Sequence, residues 1–171
     1  MPAVLGWHPW FRRSIVDGAP PVVLGFDAEA MLVRDAEGMP EARKNMRLYP
    51  QLPPEGKPAF CFYPMSKRRG DVHNWFELPY EEREQLMYGH GGTGRKFAGR
   101  VLQLVTGLTG IDDYEWGVTL FGVHPDDLKA CVYTMRYDEA SARYAEFGPF
   151  VTGMVGTLDE VLSAVGVSPE S

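Results

Sequence analysis

A phenol, a thioether and an ammonium stand at alternate positions in Tyr63-Pro64-Met65-Ser66-Lys67. On an extended backbone alternate side chains project to one side, so these three could line an aromatic, anionic ligand. Pro64 removes a sheet donor and predicts a strand end or an edge here. The plainer reading is a solvated strand end, because Lys67-Arg68-Arg69 is a run of charge. His90 is the second candidate. It falls near the C-terminal part of a predicted helix, with Leu86, Met87 and Phe97 at helical spacings that put it on an apolar stripe. An imidazole there either ligates a metal or is a core residue satisfied by a carbonyl. Gly91, Gly92 and Gly94 weaken the helix beyond it and leave room for something flat to approach the backbone. Gln103, with Val101 and Val105 on its own strand face, would be a buried amide needing partners, from a neighbouring backbone or a small ligand. Arg136 ends another predicted helix, where a cation is favourable in any case, and Arg47 precedes Leu48-Tyr49-Pro50 in a connector.

The elements that must position these residues follow from pattern and punctuation. Ala59 to Tyr63 is a short aromatic strand candidate. Pro79 to about Phe97 reads as a helix, with Pro79 near the first turn and Glu81, Glu82 and Glu84 where the helix dipole favours anions. Val101 to Leu108 and Glu115 to Phe121 are β-rich runs, and Thr109 to Asp113 between them suggests a hairpin. Pro125 to Arg136 is a second helix with Leu128, Val132 and Met135 on one face. Phe150 to Val155 reads as a last strand and Leu158 to Val165 as a tail helix. The order is β-α-β-β-α-β, the split-βαβ arrangement of ferredoxin-like α+β domains, which hosts many functions.

The rest of the chain sets bounds. Its 171 residues suit one ordinary domain, or a small domain with an appendage. Asp17-Gly18, Pro20-Pro21 and Glu37-Gly38 break residues 1–43 into short pieces, expected to be irregular or β-rich. A Pro/Gly-rich connector (44–57), a domain (58–165) and a tail (166–171) follow. A net charge of −6 supplies no basic field for nucleic acid or an anionic membrane, so an anionic ligand would need a local cluster of Arg and Lys. No apolar run approaches membrane-spanning length, the start lacks signal-peptide order, and Cys61 and Cys131 are too far apart for a metal-type pair. Free thiols in a reducing cytoplasm are the expectation.

Taken together, the ordered segments resemble one family. Arg47-Leu48-Tyr49-Pro50, Tyr63 to Arg69, Asn74-Trp75, His90-Gly91, Gly94 to Gly99, Asp112 to Leu120 and Met135 to Gly148 are similar to the coproheme decarboxylases of the chlorite dismutase-like superfamily, over about residues 44–165. The resemblance implies His90 as proximal haem-iron ligand, Tyr63 as the phenol that becomes a radical beside a propionate, and Lys67 as the lysine tied to the second decarboxylation. It implies Arg47 and Ser141 as propionate anchors, and Met65, Trp75 and Arg136 as further pocket residues. Gln103 matches the distal glutamine, where chlorite dismutases carry arginine, and so argues against chlorite as substrate. The implied reaction is hydrogen peroxide-dependent oxidative decarboxylation of coproheme, both substrate and cofactor, to haem b. A homo-oligomer, a pentamer in the family, is implied as well.

The resemblance also sets an expectation for the fold. Family members carry two ferredoxin-like halves, and Arg47 to Gly153 matches the C-terminal one; the residues ahead of Arg47 are too few for the other. The sheet face that meets that other half is expected to be left apolar and exposed. Leu5 to Arg13 and Ala30 to Pro40 resemble instead a piece of the aldose 1-epimerases, over about residues 1–42, with His8 at the general-acid position but no matching base. A non-catalytic haem-binding module and a non-functional chimera stand as the alternatives to an active decarboxylase.

Overall fold

The structure, a computed structural model, describes residues 52–167. Arg47, His8 and the segment compared with epimerases lie outside them. Strand β1 (Ala59–Lys67) is followed by a 3-10 turn (Trp75–Glu77) and helix α1 (Tyr80–Gly94), which runs into a second 3-10 turn (Arg95–Phe97). Strands β2 (Val101–Gly107) and β3 (Trp116–Gly122) form the hairpin. Helices α2 (Pro125–Met135) and α3 (Glu139–Tyr144), strands β4 (Ala145–Phe147) and β5 (Val151–Met154) and helix α4 (Leu158–Ala164) complete the order.

The sheet runs β2-β3-β1-β4, with β5 also paired to β1, and its pairings are antiparallel. Inserting β3 between β1 and β2 gives the ferredoxin-like α+β fold expected from the element order. Two short elements, α3 and β4, were not expected from the pattern.

β1 corrects one expectation: it is an interior strand. On one side Ala59–Met65 pairs with β3; on the other Ala59–Phe62 pairs with β5 and Met65–Lys67 with β4. Pro64 falls in the gap between β4 and β5, where its missing N–H breaks no ladder bond. Its carbonyl accepts from the Gly148 N–H at 2.8 Å. A Cβ at Gly148 would come within 2.7 Å of both Pro64 Cγ and the Tyr114 ring, so the chain can bend there only because that residue is glycine.

Helix α2 packs on one face of the sheet. His124 caps it, accepting from the Asp126 N–H, and Pro125 opens it with Asp126 and Asp127 in the first turn. Leu128 and Cys131, one turn apart, are buried with Ala59, Cys61, Tyr63, Val118 and Leu120. Leu128 lies so close over β3 that a Cβ at Gly122 would sit 2.8 Å from its Cδ2. A second cluster, Trp75 and Tyr144 with Leu78, Tyr80, Leu86 and Met87, anchors α1. On the opposite sheet face Phe60 meets Phe121 edge-on, centroids 5.6 Å apart, while Phe62, Leu102 and Leu104 stay half-buried. Gly117 leaves space there for Phe62, whose ring would stand 3.0 Å from a Cβ. Among the described residues no helix is long and apolar enough to cross a membrane.

Candidate functional site

His90 sits four residues before the end of α1, its side chain 22% exposed. It is not held by the apolar stripe expected of it: Leu86 and Met87 turn to the Trp75–Tyr144 cluster, and His90 meets polar groups. Its Nδ1 lies 3.0 Å from Asp138 Oδ2 and 3.4 Å from Ser141 Oγ. Asp138 reaches it because it caps α3, with Oδ1 accepting from the Ser141 N–H at 3.0 Å. The Ser141 hydroxyl donates to Asp138 Oδ2, also at 3.0 Å. Burial opposes ionisation of Asp138, but the hydrogen bonds and charge interaction with His90, together with the bonds from Ser141, hold its carboxyl below the usual range.

An ionised carboxylate only accepts, so the hydrogen between the two groups belongs to Nδ1. In the neutral ring the lone pair is then on Nε2, the nitrogen left to ligate a metal, and the carboxylate fixes the ring's orientation. Serine, histidine and aspartate together do not make a hydrolytic triad here. Both oxygens meet the same ring nitrogen, which leaves no base directed at the hydroxyl.

Lys67, at the end of β1, reaches the same neighbourhood from the sheet. Its Nζ lies 4.2 Å from the Trp75 ring centroid and donates to the Ala140 carbonyl at 3.4 Å. Burial pushes its ammonium down to about 8, against the opposing pull of Asp138 and Glu115. Tyr63, on the same strand face, is buried. Its ring stacks on Phe150 at 4.6 Å and meets Phe147 edge-on at 5.6 Å. Burial, then the nearby Cys131 and Cys61 thiols, drive its phenol pKa well upward, so it carries its proton at any ordinary pH. Met65, half-buried, packs against the same core. Arg136 caps α2 and stands over the Phe147 ring, 6.0 Å from its centroid.

A second placement differs from expectation. Gln103 shares a face with Val101 and Val105, as expected, but its amide is exposed, because β2 is an edge strand. The structure therefore gathers Lys67, Trp75, Ser141 and His90 around Asp138, and Tyr63, Met65 and Arg136 around Phe147, while Gln103 stands apart. Asp138 itself, and Glu115 beside Lys67, had no expected role. The spacing Asp138-x-x-Ser141 could have flagged a helix cap, but nothing local shows that the cap also holds an imidazole.

A groove of about 780 Å³ opens beside His90, lined by Pro79, Gln85 and Leu86 and by the carboxylates Glu81, Glu82, Asp138 and Glu139. Its charge is wrong for a carboxylate-rich ligand. The cations suited to one, Lys67 and Arg136, stand by β1 and β4. Space for a flat ring exists next to His90, since a Cβ at Gly89 or Gly91 would meet no other atom within 4 Å. An imidazole held through Nδ1 with Nε2 left to face a ligand, open backbone on both sides of it, and cations nearby fit a haem-type macrocycle.

Comparison with known proteins identifies relatives of the chain. The coproheme decarboxylase of Staphylococcus carnosus is 55% identical over 109 residues, 64% of this chain and 43% of that protein. That of Staphylococcus saprophyticus is 50% identical over 115 residues, 67% of this chain and 45% of that protein. The chain thus spans less than half the length of these curated relatives. A heme-binding protein from Thermus thermophilus superposes with a TM-score of 0.68 at 46% identity, over 73% of this chain and 50% of that one. The family profile for chlorite dismutase matches residues 28–156. That span takes in Ala30–Pro40, one of the two segments likened to aldose 1-epimerases, and none of these comparisons supports the epimerase likeness. With fold, profile and relatives in agreement, the chain belongs to the chlorite dismutase family.

Proposed function

We propose that this chain binds coproheme through His90 and acts in its hydrogen peroxide-dependent oxidative decarboxylation to haem b. The observation that carries the reading is the Asp138 carboxylate on His90 Nδ1, 3.0 Å away, which leaves Nε2 as the donor. Bound coproheme would supply the iron at which hydrogen peroxide is activated, and the peroxide itself supplies both oxidising equivalents of each decarboxylation. The chain's own residues orient and hold. His90 takes the iron, and Asp138 and Ser141 fix the ring. Lys67 and Arg136 supply cations for propionates, as would Arg47. Met65, Trp75 and Gln103 take further pocket roles by family resemblance. Tyr63, a protonated phenol kept from water, is the group placed to give up a hydrogen atom and take one from a propionate side chain. Loss of carbon dioxide, with the second electron passing to the oxidant derived from hydrogen peroxide, then leaves a vinyl group. Residues 58–165 would form the haem-carrying domain after a connector over 44–57, in a cytoplasmic homo-oligomer.

Titration with ferric coproheme tests this. The expected result is a saturable Soret shift that is lost in His90→Ala, followed on peroxide addition by carbon dioxide release and the mass of haem b. A shift without carbon dioxide would reduce the chain to a haem-binding module. The absence of any saturable shift would sink the reading altogether.

A further inference from the structure

Lys67 bears its burial because something holds its backbone in place. Strand β3 begins at Trp116, paired with Met65, so β1 runs past the end of its neighbour. The Lys67 N–H beyond that end has no ladder partner on β3. Glu115, one residue before β3, fills the gap with its side chain: Oε2 accepts from the Lys67 N–H at 2.9 Å. Oε1 accepts from Arg69 Nη2 at 2.6 Å, and the Glu115 N–H donates to Ser66 Oγ at 3.2 Å. Its carbonyl accepts from the Leu108 N–H at 2.7 Å, which ties the same residue to the β2–β3 connection. The Glu115 side chain is only 11% exposed, whereas Arg69 is 65% exposed, so the carboxylate is the fixed member of the pair.

A buried carboxylate bound on both oxygens does more than close a strand end. It stands beside Lys67 from the residue before β3 as Asp138 does from the cap of α3, and the charges of the two acids offset part of the effect of burial on the ammonium. Resting on the reading of Lys67 as a working residue of the proposed site, the geometry points to Glu115 as its positioning residue, setting where the ammonium lies over Trp75. Glu115 touches no substrate in this role; it acts through Lys67.

The test needs no haem, so a failed coproheme titration leaves it intact. The full chain is trace-labelled with acetic anhydride across pH 6 to 10, and Lys67 acylation is read by mass spectrometry against exposed Lys129. Wild type is expected to show a Lys67 midpoint near 8. In Glu115→Gln the midpoint falls, and a drop of about one unit makes Lys67 label roughly threefold faster at pH 7.5. A folded Glu115→Gln with an unchanged midpoint would overturn the proposal, leaving Glu115 as a strand-end brace only. If Glu115→Gln does not fold, Arg69→Met decides instead: removing the cation from Glu115 should raise the Lys67 midpoint, and no change would overturn the proposal equally.

Discussion

Lys67 exchanges most of its hydration for one ring face, one carbonyl and two carboxylates, and its titration shows the balance. Its pKa is lowered in the folded chain from 10.5 to about 8. Between those values the unfolded chain binds the proton and the folded chain does not, so this group makes stability rise with pH from about 8 to 10.5 and leaves it flat below. Comparing urea midpoints of wild type and Lys67→Met at pH 7.5 and 10 isolates that slope; equal pH dependence in the two would refute it. Asp138 works in the opposite sense, as an acceptor shared by a helix start and an imidazole. Asp138→Ala should cost about 1 kcal/mol for the lost cap, measured in urea. It should also weaken coproheme binding by roughly 10- to 100-fold, read from the Soret titration. At this scale the sequence was only partly readable. His90 and Lys67 stood out by type, but the acid on His90 lies 48 positions away, a contact that only the fold creates.

Most elements longer than a few residues were legible because each carries its own pattern, though β1 runs past its expected end at Tyr63 to Lys67. β2, β3, α1 and α2 end within a residue or two of their expected limits, apart from the 3-10 turn that closes α1 at Phe97. The short ones were not. β4 has three residues and exists because β1 offers an edge at Met65–Lys67, and α3 is a single capped turn and a half. Pro64 misled for a related reason: proline marks an edge only where a neighbour needs its N–H, and here the neighbouring strand is broken at that point. Gly148 is what permits the break. Gly148→Ala pushes a Cβ into Pro64 and Tyr114, and overpacking of this kind costs about 1–3 kcal/mol. A urea midpoint indistinguishable from wild type would show that the bend has slack.

Across the whole molecule, the α+β class and strand order could be read from the alternation of elements, and the family from residues spread over most of the described chain. Which side chains meet could not. The two cysteines illustrate the difference: their spacing said only that they are no metal pair. The fold buries Cys61 on β1 and Cys131 on α2, the helix packed against it, both thiols raised in pKa chiefly by burial. Both should therefore stay unreactive towards a disulfide reagent in the native chain and react together in denaturing urea. Prompt labelling of either under native conditions would mean that α2 lifts from the sheet. The sheet itself carries a further consequence. Because β1 is apolar on both faces, with Ala59, Cys61 and Tyr63 on one and Phe60 and Phe62 on the other, a slip of one residue would trade one oily set for another. Hydrophobicity alone is a poor lock on such a strand. The lock is made of absences: a missing Cβ beside Phe62 at Gly117 and a missing N–H at Pro64 opposite a broken neighbour. Shift the strand by one notch and both gaps fall against the wrong partners.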